Sequence, residues 1–270
     1  MTSITLPRDS RAASPGRLRM AITDSADVTW RNLLSMVRTP QALVFSLVQP
    51  VLFVLLFRYA FGGAIRVPGI PYIDYLMPGI FAQSVAFGGL GTAVGLSMDI
   101  RSGLLERFRT LPMSRLAILA GRTLADLARN LVVLAIMVGV GFAVGFRIHE
   151  GVPAFLAGLG LVALFGYALS WGFVALGLRM TDPEAAQAAG VPVMFLLVFA
   201  SSAFVPLATM PGWLQAVAGH QPLTALVTAL RPLVLGGSTA HHILVCLAWS
   251  CGMLVVFATL ALWQYRRLNR

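Results

Sequence analysis

The chain has 270 residues, of which 58% are hydrophobic and only 11% are charged. Soluble domains carry about 25% charged residues, and a soluble protein of this size cannot bury so much apolar surface. The composition therefore excludes a soluble enzyme and indicates that lipid surrounds most of the protein.

All 20 basic residues are arginine, against 10 acidic residues, which gives a net charge of +10. The arginines lie between apolar runs, which is typical of a membrane protein beside anionic lipids rather than of a protein that binds nucleic acid. A nucleotide-binding P-loop requires a lysine. Because the chain has no lysine, we expect no ATP site in it, and the sequence predicts no catalytic, cofactor-binding or metal-binding residue.

The N-terminal part of the chain is predicted to lie on the cytoplasmic side. Residues 1–23 lack the apolar core of a signal peptide, so we expect them to form a disordered cytoplasmic tail. In residues 24–39, apolar side chains recur at helical spacing from Trp30 to Val37, which predicts an amphipathic elbow helix on the membrane surface. This helix, whose polar face includes Arg31, is either a simple anchor or also borders the docking site of a partner.

Apolar runs of about 20 residues between charged residues mark the transmembrane segments. They predict six spans, at approximately residues 41–61, 75–98, 116–146, 153–178, 185–205 and 241–263. Placing both termini in the cytoplasm puts most of the arginines inside, as the positive-inside rule favours. We therefore predict an all-α integral membrane protein with six transmembrane helices.

Residues 99–115, between the second and third spans, are predicted to contain a short cytoplasmic helix. It has an apolar face and a charged flank, and a proline ends it. The residues concerned are Leu104 and Phe108 on the face, Glu106, Arg107 and Arg109 on the flank, and Pro112 at the end. Such a helix fits a groove in another protein, and it fits a lipid surface equally well.

A charged stripe marks the start of the third span. Arg122, Asp126 and Arg129 stand four and three residues apart, so they share one helix face, where the acid can neutralise either arginine. Charge inside a membrane usually has a function, which predicts a cytoplasmic entrance shared with Arg31. At this depth the arginines can also extend to the membrane surface, and the sequence leaves both readings open.

Two further patterns are interpreted as structural. Gly91 and Gly95 have the small-residue spacing that lets the second and third spans pack closely. Residues 181–184, Thr-Asp-Pro-Glu, have the composition of a helix start, with a capping residue, a proline and an acid in the first turn.

Residues 206–236 are apolar but interrupted by prolines, which predicts two short helices, neither long enough to cross the membrane. We interpret the segment as a re-entrant or interfacial helical hairpin, tolerated where protein buries it. Its marker residues are Pro211, Trp213 and Pro222.

Six segments in this order carry a family resemblance. They are QPVLFVLLFRYAFGG (49–63), YLMPGIFAQS (75–84), SGLLERFRTLPMSR (102–115), TDPEAAQ (181–187), FVPLATMPGWLQ (204–215) and HQPLTALVTALR (220–231). Together they resemble the ABC type-2 permease family, of the daunorubicin/doxorubicin-resistance type, from about residue 24 to the end.

The resemblance implies partners and roles that the residues alone do not. It implies a permease in the bacterial plasma membrane, two copies of an ATP-binding subunit that bind ATP-Mg, and a second permease, identical or not, that completes the pathway. It also implies that residues 99–115 contain the coupling helix and that residues 206–236 form an extracellular re-entrant hairpin.

The expected function is export of a hydrophobic drug or a lipid, since walls made of these spans would be mainly apolar. An ion-coupled secondary transporter is the first alternative, although that class usually has carboxylates near the middle of the membrane. A membrane-embedded transferase or protease would need a constellation of reactive side chains that the sequence does not contain. A membrane scaffold without transport is the remaining alternative.

Overall fold

The computed structural model describes residues 40–62, 69–103, 115–180 and 182–267. Within these ranges the chain forms helices and no strand. The helices are α1 (Pro40–Leu55), α2 (Tyr72–Arg101), α3 (Arg115–Ala143), α4 (Val152–Gly177), α5 (Pro183–Phe199), α6 (Gly212–Gly219), α7 (Pro222–Leu235) and α8 (Ala240–Arg267). The predicted tail, the elbow helix with Arg31, and the loop residues from Leu104 to Pro112 lie outside the described residues.

Four of the described helices are long and apolar enough to cross a membrane: Tyr72–Arg101, Leu119–Ala143, Val152–Gly177 and Ala240–Arg267. They correspond to the second, third, fourth and sixth predicted spans. Shorter apolar helices, Ser46–Phe61 and Pro183–Phe199, occupy the positions of the first and fifth. The chain is thus an all-helical membrane protein, and the count of six spans stays a prediction.

The glycines of the bundle show how its helices run. Gly88 lies beside Asn130 and Gly95 beside Arg122, so α2 and α3 are antiparallel. Gly166 lies beside Val85, and Gly177 beside Ala93, so α4 runs parallel to α2. We refer to the two ends of the bundle as the Arg101 end and the Asp74 end, after the residues that stand near the two ends of α2.

Helix α2 is the centre of the bundle, and α8 lies at its edge. Every residue of α2 from Tyr72 to Ala86 is buried. In contrast, α8 exposes a row of large apolar side chains, at Leu244, Trp249, Val255, Val256 and Trp263. Such side chains on a membrane protein are suited to contact with lipid or with another membrane subunit.

Helix α5 ends at Phe199, six residues before the predicted end of the fifth span. Backbone groups beyond a helix end must find other partners when they are buried, and side chains of the next segment supply them. Gln221 donates its amide to the carbonyl of Ala200, and Arg231 donates its guanidinium to the carbonyl of Ser202. The chain can leave the helix here because Gln221 and Arg231 bond to the backbone carbonyls that follow it. The hydropathy of the sequence does not reveal these hydrogen bonds.

The segment after α5 packs against the Asp74 end of α2. The guanidinium of Arg231 lies 3.6 Å from the ring centroid of Tyr75, a favourable cation–π contact. The hydroxyl of Tyr72 donates to the carbonyl of Phe204 at 3.2 Å. Gly79 permits the approach, because a Cβ at this position would overlap the backbone of Ala203.

Residues 206–236 contain two short helices, α6 and α7, as the prolines predict. Pro211 precedes α6, and Pro222 is the first residue of α7. Pro232, by contrast, lies inside α7 instead of ending it. The 14 residues of α7 extend about 21 Å, which is shorter than the roughly 30 Å of a bilayer core.

Candidate functional site

A cavity of about 680 Å³ lies between α1, α2, α3 and α5. This volume falls within the range of roughly 300–1,000 Å³ typical of sites for small molecules. Along α2 the lining extends from Gln83 to Asp99, a distance of about 24 Å along the helix axis. The cavity therefore leads from the Arg101 end to the middle of the bundle.

Three glycines of α2 make room for three polar side chains of α3. Gly88 lies against Asn130, Gly91 against Arg129 and Gly95 against Arg122. A Cβ at Gly91 would stand 3.2 Å from Nη1 of Arg129, and one at Gly95 would overlap the guanidinium of Arg122. The small residues thus let α2 and α3 pack closely around buried polar groups.

The charged stripe of α3 lines this cavity, and both of its arginines are paired with protein groups. Arg122 donates to the carboxylate of Asp99 on α2. Nη2 of Arg129 lies 3.2 Å from Oδ1 of Asp126 and donates to the carbonyl of Gly88 at 2.7 Å. Asp126 therefore neutralises Arg129 alone, and the two aspartates balance the two arginines in the lining.

The two arginines extend in opposite directions. Arg122 reaches towards the Arg101 end to meet Asp99, as a side chain near the membrane surface does. Arg129 stands opposite Gly91 yet bonds to Gly88, one turn deeper in the bundle. Arg129 is therefore held inside the protein and does not extend to the surface.

The structure adds residues to the site that the sequence alone does not single out. Asp99 becomes a member because it pairs with Arg122 across the helix interface. Gln83 lies in the wall at the deep end of the cavity and is only 1% exposed. The sequence could have drawn attention to Gln83 because it is a polar residue within an apolar span. Only the fold, however, shows that Gln83 and the charged stripe line the same cavity.

Residues 27–235 match the family of ABC-2 type transporters. The chain belongs to this family. Its described helices, four of them candidate spans, agree with a multi-pass membrane permease, and the family implies a separate ATP-binding subunit as partner.

Similar proteins include permeases named for drug resistance. The chain is 34% identical over 249 residues to a daunorubicin resistance ABC transporter permease of Streptomyces coeruleorubidus, covering 92% of this chain and 88% of that protein. It is 27% identical to a probable doxorubicin resistance ABC transporter permease of Mycobacterium tuberculosis, covering 98% and 94%. A putative transport permease of Cyanophora paradoxa is 25% identical, covering 74% and 70%. These similarities confirm the resemblance found in the six segments.

At the Arg101 end of the permease, an ion pair joins α2 to α5. Asp182 stands at the N-cap position of α5, as predicted, but its side chain makes no capping hydrogen bond. Its Oδ1 instead lies 3.1 Å from Nη1 of Arg101, the last residue of α2. The predicted helix start is thus observed, and the side chain of Asp182 forms an ion pair instead of a capping hydrogen bond. Because both side chains are well exposed, we expect the pair to contribute less than about 1 kcal/mol.

Proposed function

We propose that this permease, with a second permease and two ATP-binding subunits, exports a hydrophobic antibiotic-like drug or a lipid from the cell. The ATP-binding subunits would bind ATP-Mg and supply the energy, while this chain would provide the pathway. The observation that carries the proposal is the cavity between α1, α2, α3 and α5, in a chain similar to permeases for daunorubicin and doxorubicin resistance.

The lining of the cavity favours an amphipathic cargo. Its apolar wall includes Pro50, Phe87, Leu90, Val94, Met98 and Val133. Such a wall cannot offset the desolvation of a small hydrophilic solute, and both arginines of the lining already pair with aspartates of the protein. A drug or lipid dissolved in the inner leaflet loses little on entering this cavity.

We place the cytoplasmic entrance at the Arg101 end of the cavity. Arg122, Asp126 and Arg129 line the cavity there, and the elbow helix with Arg31 would border the same opening. The pairing of Asp126 with Arg129 also weakens the ion-coupled alternative, because a transported cation would have to displace the arginine from the carboxylate.

The proposed topology has six spans, with both termini in the cytoplasm. Helix α1 and its π-helical turn, Leu56–Phe61, would form the first span, and α5 would form most of the fifth. Helix α5 begins at the Arg101 end, where Asp182 pairs with Arg101. The hairpin that follows α5, with Pro211, Trp213 and Pro222, therefore starts at the Asp74 end, which supports an extracellular position for it.

Cysteine labelling tests this topology. In a variant in which Cys246 and Cys251 are replaced, we expect Arg107→Cys to react with a membrane-impermeant reagent only from the cytoplasm. Trp213, which is 72% exposed, should react as Trp213→Cys only from outside. Labelling of both positions from the same side would contradict the six-span topology.

Accumulation of an anthracycline-type dye tests the function. Cells that produce this permease with its ATP-binding subunit should retain less dye than cells in which the ATP-binding subunit is inactive. The physical reason is that the cavity accepts an amphipathic molecule, while transport requires hydrolysis by the partner. A gain of efflux limited to sugars or amino acids, with no change for the dye, would contradict the proposed cargo.

A further inference from the structure

We infer that the side-chain amide of Gln83 is the hydrogen-bonding anchor for the cargo, so that the permease selects amphipathic molecules that carry hydroxyl, carbonyl or amide groups. This inference rests on the proposed export function and specifies how the cargo is held. It concerns the deep end of the cavity, beyond the charged stripe.

The amide of Gln83 has unused hydrogen-bonding capacity. The residue is 1% exposed, and neither Nε2 nor Oε1 has a hydrogen-bond partner among the described residues. Leaving a buried polar group unpaired costs about 1–3 kcal/mol, and an amide can donate and accept at once. Both atoms are shielded in the structure, so a bound molecule would pair with them once the side chain turns into the cavity that Gln83 lines.

Both arginines of the cavity already have partners within the protein. Arg122 bonds to Asp99, and Arg129 bonds to Asp126 and to the carbonyl of Gly88. A cargo that took either arginine would have to break a contact within the protein, whereas pairing with Gln83 breaks none. The lining therefore favours hydroxyl, carbonyl and amide groups over an anionic head group.

Gln83 also lies between polar and apolar parts of the cavity wall. Phe87 lies one helical turn further along α2 and also lines the cavity. Gln49 on α1 and Gln187 on α5 contribute two further amides to the lining. A flat apolar molecule can thus lie along Phe87 while its polar substituents reach the amides, and Gln83 is the most deeply buried of the three.

The test uses the purified complex of permease and ATP-binding subunit in lipid nanodiscs, with a fluorescent anthracycline as probe. Replacing Gln83→Met keeps the length of the side chain but removes the amide. We expect the dissociation constant for the anthracycline to rise about tenfold, as for the loss of one or two hydrogen bonds, and export in cells to need a correspondingly higher concentration.

The same variant should be at least as thermally stable as the unsubstituted protein, since it removes an unpaired buried polar group. If Gln83 had a purely structural role, Gln83→Met would instead lower the thermal stability and leave the affinity for the anthracycline unchanged. Gln83→Asn keeps an amide on a shorter side chain and should bind the anthracycline with intermediate affinity. If Gln83→Met does not form the complex, the affinity and stability of Gln83→Asn provide the same test.

Thr92 supplies a matched control on the same helix. It is fully buried, its hydroxyl has no hydrogen-bond partner among the described residues, and it does not line the cavity. Thr92→Val should leave anthracycline affinity unchanged. Unchanged affinity in Gln83→Met, or an equal loss in Thr92→Val, would overturn the inference. Absence of binding and export in the unsubstituted complex would instead overturn the proposed function.

Discussion

Replacing Arg129→Met should destabilise the permease by about 3 kcal/mol, the lower part of the range for breaking a buried ion pair. The physical reason is the carboxylate of Asp126, which is 7% exposed and whose Oδ2 has no hydrogen-bond partner in the described part of the chain. Without Arg129, Asp126 would lose the cation that balances it. Thermal unfolding of the detergent-solubilised protein measures this effect.

The double variant Asp126→Leu/Arg129→Met is the control. Replacing both partners by apolar residues leaves no buried charge, so we expect most of the stability to return. Export of the anthracycline should nevertheless fall, because the proposed entrance would have lost one of the two ion pairs in its lining. If Arg129→Met were as stable as the double variant, Arg129 would not be needed to balance Asp126, which would contradict the prediction. If a stable double variant exported at the full rate, the ion pair would contribute to packing only and not to transport.

The long helices could be predicted from the sequence because a bilayer imposes a simple length requirement. Charged residues bound each apolar run, and the predicted spans at 75–98 and 153–178 differ from α2 and α4 by no more than three residues at either end. The end of α5 could not be predicted in this way. It depends on Gln221 and Arg231, which bond to the carbonyls of Ala200 and Ser202 across the fold.

The candidate site could be predicted only in part. The spacing of Arg122, Asp126 and Arg129 places them on one helix face, but it cannot show which partner each would choose. Arg122 pairs with Asp99, 23 residues earlier on another helix, and such a contact follows from packing rather than from periodicity. Gln83 is less predictable still, since its significance lies in the hydrogen bonds that it does not make.

Charge reversal in the predicted coupling helix should abolish export while leaving the permease in the membrane. In the variants Glu106→Arg and Arg109→Glu, a side chain that would face the ATP-binding subunit acquires the opposite charge. Like charges brought together at a protein interface cost several kcal/mol. The ATP-binding subunit should therefore bind the permease more weakly, and its ATP hydrolysis should no longer drive transport. Dye accumulation in cells and co-purification of the two subunits measure these effects.

The apolar face of this helix, with Leu104 and Phe108, fits both a protein groove and a lipid surface, and the reversals separate the two. Binding to anionic lipid would strengthen on Glu106→Arg, because the change adds a positive charge, whereas docking to a partner would fail on either reversal. Glu150→Arg, an exposed reversal at the Asp74 end, should leave export intact and controls for altered charge alone. Normal efflux by both coupling variants at normal expression would show that residues 99–115 serve only as a surface anchor.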